Sequence, residues 1–184
     1  PDFTLMADPV IMASYEEALK AGRELERLGY KWLEEPLLDV DLHSLKKLRE
    51  KLDIPIVGTE VIAGNHYSAA HCIKEGIVDI VRTDVSWRAG ITAVMKTAHM
   101  AESFGVKCEL HTTIYHGLEQ VQLHASLAIN NSEYFETLYP FDDFDFGTKS
   151  KLNIVDGYVM APVGEGLCID YDWDFIENHT VAIL

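Results

Sequence analysis

Apolar residues recur at spacings of three and four through residues 14–29, where Ala18, Leu19, Ala21, Leu25 and Leu28 fall on one face. That period predicts an amphipathic helix. Ser14, followed three residues later by Glu17, supplies a capping box, and Gly29 a stop. Residues 41–52 repeat the logic with a stripe of Leu42, Leu45, Leu48 and Leu52, an outer face of Lys46, Lys47, Arg49, Glu50 and Lys51, and Pro55 to prevent continuation. The same spacing predicts helices over 66–76, 89–104 and 117–130. Short stretches at 4–8, 31–34, 54–60, 78–84, 106–111 and 133–136 read as strands between them. Strand and helix in alternation give a parallel sheet. After Tyr139 and Pro140 the rhythm breaks, and Asp156-Gly157 between apolar residues predicts a compact hairpin within 153–162.

Each predicted strand ends in a residue with chemistry. Asp8, Glu34, Glu60, Asp84, His111 and Glu136 follow one another at gaps of 26, 26, 24, 27 and 25 residues, one strand–helix unit per gap. In a βα barrel the C-terminal ends of all strands converge on one mouth, so these six residues are expected to meet there. Asp8, Glu34 and Glu60 supply the hard oxygen ligands that suit Mg²⁺. Asp84 is expected to accept the Nδ1 proton of His111, fixing its tautomer and making it a general base. Glu136 is placed to hydrogen-bond a substrate oxygen. Trp87, Arg88, His116 and Glu119 fall just past the mouth and are candidates for contact with substrate. By strand alternation Arg82 and Glu109 point into the barrel, and they are expected to pair with each other.

Composition narrows the partners. The 184 residues are 48% hydrophobic, enough for a substantial core, with no run of 18 apolar residues and no signal-like start, so a membrane is not expected. A formal net charge of −15 opposes binding to nucleic acid. Three scattered cysteines, Cys72, Cys108 and Cys168, fit reduced thiols in the cytoplasm.

The segments Leu5-Met6-Ala7-Asp8, Trp32-Leu33-Glu34-Glu35-Pro36 and Pro55-Ile56-Val57-Gly58-Thr59-Glu60, with Asp84 and His111 after them, resemble the enolase superfamily and within it the mandelate racemase and muconate lactonizing enzyme group. The resemblance covers roughly residues 3 to 175. It implies an α/β fold, about six βα units of a modified TIM-type barrel, over residues 1–140. Residues 141–184 are then expected to pack on the barrel exterior or return toward a capping domain. By position Asp8, Glu34 and Glu60 match the family's metal ligands, Asp84 and His111 its dyad, and Glu136 the carboxyl group set against substrate. The implied chemistry is removal of the proton α to a carboxylate while Mg²⁺ holds the enediolate. Val10 stands where many members carry Asn, which points away from a racemase of an aromatic hydroxy acid and toward dehydration of a sugar acid. The alternatives are a racemase or epimerase of a hydroxy acid or amino-acid derivative, a divalent-metal hydrolase, or an inert metal-binding fragment. Pro1 lies too close to Asp8 to leave room for the family's lysine strand and N-terminal capping domain, so the chain is expected to be part of a longer, homo-oligomeric enzyme.

Overall fold

The computed structural model describes residues 3–12, 14–112, 117–144 and 146–183, without the side chain of residue 142. Helix α1 (Tyr15–Leu28) starts where Ser14 Oγ accepts the Glu17 N–H and stops at Gly29, whose φ of 75° only glycine adopts freely. Strand β1 (Leu33–Glu34) follows, then α2 (Leu42–Arg49), capped by Asp41. The alternation continues through β2 (Ile56–Gly58), α3 (Asn65–Glu75), β3 (Ile80–Thr83), α4 (Gly90–Ser103), β4 (Lys107–Leu110) and α5 (Leu118–Leu127). The four strands lie parallel in the order β1-β2-β3-β4, each beside its neighbour in sequence. Leu33 aligns with Ile56, Val57 with Ile80, and Arg82 with Glu109.

The sheet separates two apolar layers. On the helix side Leu33, Leu45, Leu48, Ile56, Val81, Val94, Cys108 and Leu110 form the main core. Its burial is the dominant stabilising term. On the opposite face a smaller cluster joins Trp32, Val57 and Ile80, with Met6 and Tyr134 packed against it. The sheet curls strongly enough for residues beyond its two edge strands to touch across this concave face: the Trp32 and Tyr134 rings meet edge-on at 5.5 Å, and Lys31 Nζ lies 3.1 Å from Glu133 Oε1.

All six predicted strands are shorter in structure than in sequence, and two of them form no ladder at all. Residues 4–8 run parallel to β1 and share hydrogen bonds with it, from Lys31 N–H to Leu5 O at 2.8 Å and from Glu34 N–H to Ala7 O at 2.8 Å, yet only the Ala7–Leu33 pair forms a bridge. Residues 133–136 form no ladder beyond β4. The reason is Glu109, buried to 1% exposure, whose carboxyl oxygens accept the N–H groups of Glu133 at 2.9 Å and Tyr134 at 3.1 Å and the Ser132 hydroxyl at 3.1 Å. A side chain takes donors that an adjacent strand would otherwise receive. This also corrects the expected Arg82–Glu109 pair: the two are register partners, but Glu109 serves the segment at 132–134 while Arg82 turns to other carboxylates.

Beyond α5, a short helix α6 (Phe141–Phe144) leads to the antiparallel hairpin of β5 (Ile154–Val155) and β6 (Tyr158–Val159). Asp156 and Gly157 make its turn with φ of 51° and 82°, the two positive values that the dipeptide signals. Helix α7 (Trp173–His179) follows, capped by Asp172. Ile169 packs on the main core, and a Cβ at Gly117 would stand 3.0 Å from its Cγ2, so this segment seats against the start of α5. No helix among the described residues is long and apolar enough to cross a membrane.

Replacing Glu109 by Ala should strip three donors of their acceptor and lower stability by about 2 kcal/mol. Urea denaturation of the variant against the parent chain measures it, and an unchanged midpoint would show that the segment at 132–136 is held by other contacts.

Candidate active site

Because the strands are parallel and in sequence order, the residues that close them gather at one end of the sheet. Asp84 follows β3 directly and is fully buried. Its Oδ1 accepts the Ser86 N–H at 2.7 Å, the Ser86 hydroxyl at 2.9 Å and the Trp87 N–H at 2.5 Å, which leaves Oδ2 for His111 Nδ1 at 3.0 Å. Burial works against ionisation of Asp84, but the His111 hydrogen bond and the Trp87 and Ser86 donors outweigh it and hold the carboxyl below its ordinary range. His111, one residue past β4, then has its Nε2 directed toward Glu60, with Oε1 at 3.5 Å. Burial opposes its protonation, yet the Asp84 hydrogen bond and the charges of Glu60 and Glu136 raise its proton affinity above that of a free imidazole. The indole of Trp87 stacks on the imidazole at 4.8 Å between centroids. Arg88 is buried, donates to Asn65 O at 2.6 Å and feels the charge of Asp84. His116 lies outside the described residues.

Arg82 organises the other side. Its Nε hydrogen-bonds Glu34 Oε1, its Nη2 donates to Glu136 Oε2 at 2.9 Å, its Nη1 to Leu110 O at 3.3 Å, and its Nε stands 3.8 Å from Glu60 Oε2. Glu34 also accepts the Trp32 indole N–H at 3.1 Å, and Glu136 the Thr112 N–H at 3.0 Å. Glu35 turns the other way and accepts the Glu60 N–H at 2.7 Å, anchoring the loop that carries Glu60.

Glu60 is the residue that strand alternation would misplace. Val57 faces the concave side and Ile56 the helices, so Glu60 should follow Ile56 to the helix side. Thr59 prevents this with a φ of 85°, a left-handed conformation that breaks the alternation and brings Glu60 into the group. The Thr59 hydroxyl repays part of that strain by donating to Arg82 O at 2.9 Å and accepting the Arg82 N–H at 3.3 Å.

The sequence-predicted residues are therefore brought together in two linked sets. Asp84, His111 and Glu60 form one, and Glu34, Glu136 and Glu60 around Arg82 the other. Asp8 lies at the edge, exposed, with Oδ1 accepting the Val10 N–H at 3.2 Å, though its charge reaches Glu34. Among the described residues no three acidic, histidine or cysteine side chains converge tightly enough to hold a metal ion as they stand. The donor chemistry nevertheless fits a hard cation. Glu60 is nine-tenths buried, and among the described residues no hydrogen-bond donor reaches its carboxyl oxygens, whose nearest cationic partners stand at 3.5 and 3.8 Å. Sequence alternation placed Arg82 inward, but nothing in the spacing showed that it would address three carboxylates on three different segments.

Residues 1–175 match the family model described as enolase C-terminal domain-like. The chain is 32% identical over 167 residues to the arabinonate dehydratase of Saccharolobus solfataricus, covering 90% of this chain and 44% of that protein. It is 28% identical over 185 residues to the D-galactarolactone cycloisomerase of Agrobacterium fabrum, covering 95% of this chain and 48% of that protein. Its fold superposes with a TM-score of 0.87 on the magnesium complex of D-glucarate dehydratase from Agrobacterium tumefaciens, at 40% identity, covering 97% of this chain and 47% of the other. The chain thus spans about half the length of the curated relatives it matches.

Burial drives Glu60 up to about 8, against the pull of His111 and Arg82, and Glu35 up to about 7, against the Glu60 N–H; burial likewise raises Glu34. All three groups, and His111, bind protons more tightly folded than unfolded. Their contribution to stability is thus full below the unfolded values and is lost as pH rises through the folded ones. Without divalent metal, the melting temperature should fall between about pH 5 and pH 8, and Glu60→Gln should flatten that slope. A melting temperature that rises across this interval in EDTA would contradict the assignment.

Proposed function

We propose, on the premise that this chain belongs to the enolase C-terminal domain-like family, that it forms the catalytic half of a Mg²⁺-dependent enzyme that removes the proton α to a carboxylate and dehydrates a sugar acid. The observation that carries this reading is the Asp84–His111 dyad: an imidazole fixed through Nδ1 on a buried carboxylate, with Nε2 presented to Glu60. Asp84 keeps the Nδ1 proton in place, so the Nε2 lone pair is the basic site, and Trp87 confines the ring plane. His111 Nε2 takes the α-proton, and Glu136, anchored through Oε2, meets a substrate oxygen. Asp8, Glu34 and Glu60 would hold Mg²⁺, which supplies Lewis-acid stabilisation of the negative charge that deprotonation creates. The dehydratase names of the arabinonate and D-glucarate relatives favour elimination of the β-hydroxyl. A cycloisomerase among the relatives supports a second reading, in which the same proton abstraction leads to isomerisation.

Residues 1–140 form the barrel portion under this proposal, and 141–184 a segment that packs on its exterior or on the capping domain. The remainder of the enzyme, with its capping domain and lysine strand, is supplied by a longer chain that assembles as a homo-oligomer. Cytoplasmic residence accords with the buried free thiols of Cys72 and Cys108.

The test is to incubate the full-length protein with a library of sugar acids and Mg²⁺ and to assay 2-keto-3-deoxy acids; epimerised or ring-opened acids without dehydration would favour the second reading. In the same protein His111→Asn should lower turnover by about 10³-fold with Mg²⁺ affinity nearly unchanged. Retained turnover would place the base elsewhere.

A further inference from the structure

Arg82 is 4% exposed, and of the three acids it faces two, Glu34 and Glu60, are themselves buried, while Glu136 is partly exposed. Its guanidinium contacts Glu34, reaches Glu136 at 2.9 Å and stands 3.8 Å from Glu60. Two of those three residues, Glu34 and Glu60, are among the three carboxylates assigned above to Mg²⁺. A buried set of acids needs a compensating cation, because each ionised carboxylate removed from water is costly without one. A guanidinium cannot lose its proton, so Arg82 supplies that charge at every pH at which the protein is folded.

We infer that Arg82 is a built-in counter-cation that holds Glu34 and Glu60 ready in the metal-free protein and competes with Mg²⁺ for their charge, so that this one side chain sets how tightly the divalent ion is bound. The inference rests on the metal-site reading above. Its physical basis is simple: a fixed positive charge a few ångströms from a ligand carboxylate lowers that carboxylate's attraction for a second cation. Arg82 is a positioning residue in this scheme, acting on Mg²⁺ only through the two glutamates. The Leu110 O contact and the Glu136 pair keep its fork from swinging aside. Its backbone is tied to Thr59, the residue that turns Glu60 inward, so the counter-cation and one of its acids are set by the same pair of hydrogen bonds.

The experiment is calorimetric titration of Mg²⁺ into the full-length protein and its Arg82→Gln, Arg82→Lys, Glu34→Gln and Glu60→Gln variants, with melting temperatures recorded with and without Mg²⁺. Arg82→Gln should bind Mg²⁺ about tenfold more tightly, and Mg²⁺ should raise its melting temperature by more than it raises that of the parent. Arg82→Lys, which keeps the charge, should stay within about threefold of the parent affinity. A side chain needed only for packing would lower the melting temperature equally with and without Mg²⁺ and would leave the affinity unchanged or weaker; either result overturns the inference. Should Arg82→Gln fail to fold without metal, its recovery at saturating Mg²⁺ is the expected outcome, and failure to fold at saturating Mg²⁺ overturns it. The two readings separate cleanly. If the parent binds no Mg²⁺, or if Glu34→Gln and Glu60→Gln bind it as the parent does, the metal site itself is wrong. If those two variants lose Mg²⁺ while Arg82→Gln gains nothing, the site stands and the role of Arg82 falls.

Discussion

Several ionised acids cannot share a buried space unless something positive stands among them, and in this chain that something is one guanidinium. Arg82 reaches Glu34, Glu136 and Glu60 from the middle of β3, so residues from three other parts of the chain are oriented from a single point. The parallel order of the sheet makes this possible: β3 lies between β2 and β4, and its concave-facing residue is within reach of acids on either side. The dyad depends on the same arrangement. Asp84 is two residues beyond Arg82, and His111 Nε2 faces Glu60, whose other oxygen faces Arg82.

Much of this was legible in the sequence. The caps at Ser14 and Gly29, the leucine stripe of α2 and the Asp156-Gly157 turn are local signals, decided by propensity and by hydrogen bonds between near neighbours, and the structure carries each of them. The regular spacing of Glu34, Glu60, Asp84 and His111 also located one end of the sheet, because a parallel sheet with short connections repeats its geometry once per unit.

What pattern could not reveal were choices settled in three dimensions. Alternation placed Arg82 and Glu109 on one face and suggested that opposite charges in register would pair. Each instead had a better offer. Glu109 found the Ser132 hydroxyl and the backbone donors of Glu133 and Tyr134, which have no ladder to satisfy them, and Arg82 found Glu34 and Glu136. Likewise, a period-two reading cannot anticipate the positive φ at Thr59, since nothing in a threonine signals a left-handed residue.

Thr59 has a further consequence. Glycine would adopt its backbone conformation with less strain, but glycine has no hydroxyl to bridge to the Arg82 backbone. The position therefore works as a gauge, fixing the spacing between two neighbouring strands while it selects the face on which the next residue appears. A slide of β3 along β2 would have to break both of those hydrogen bonds, which join the residue that turns Glu60 inward to the residue whose cation it faces.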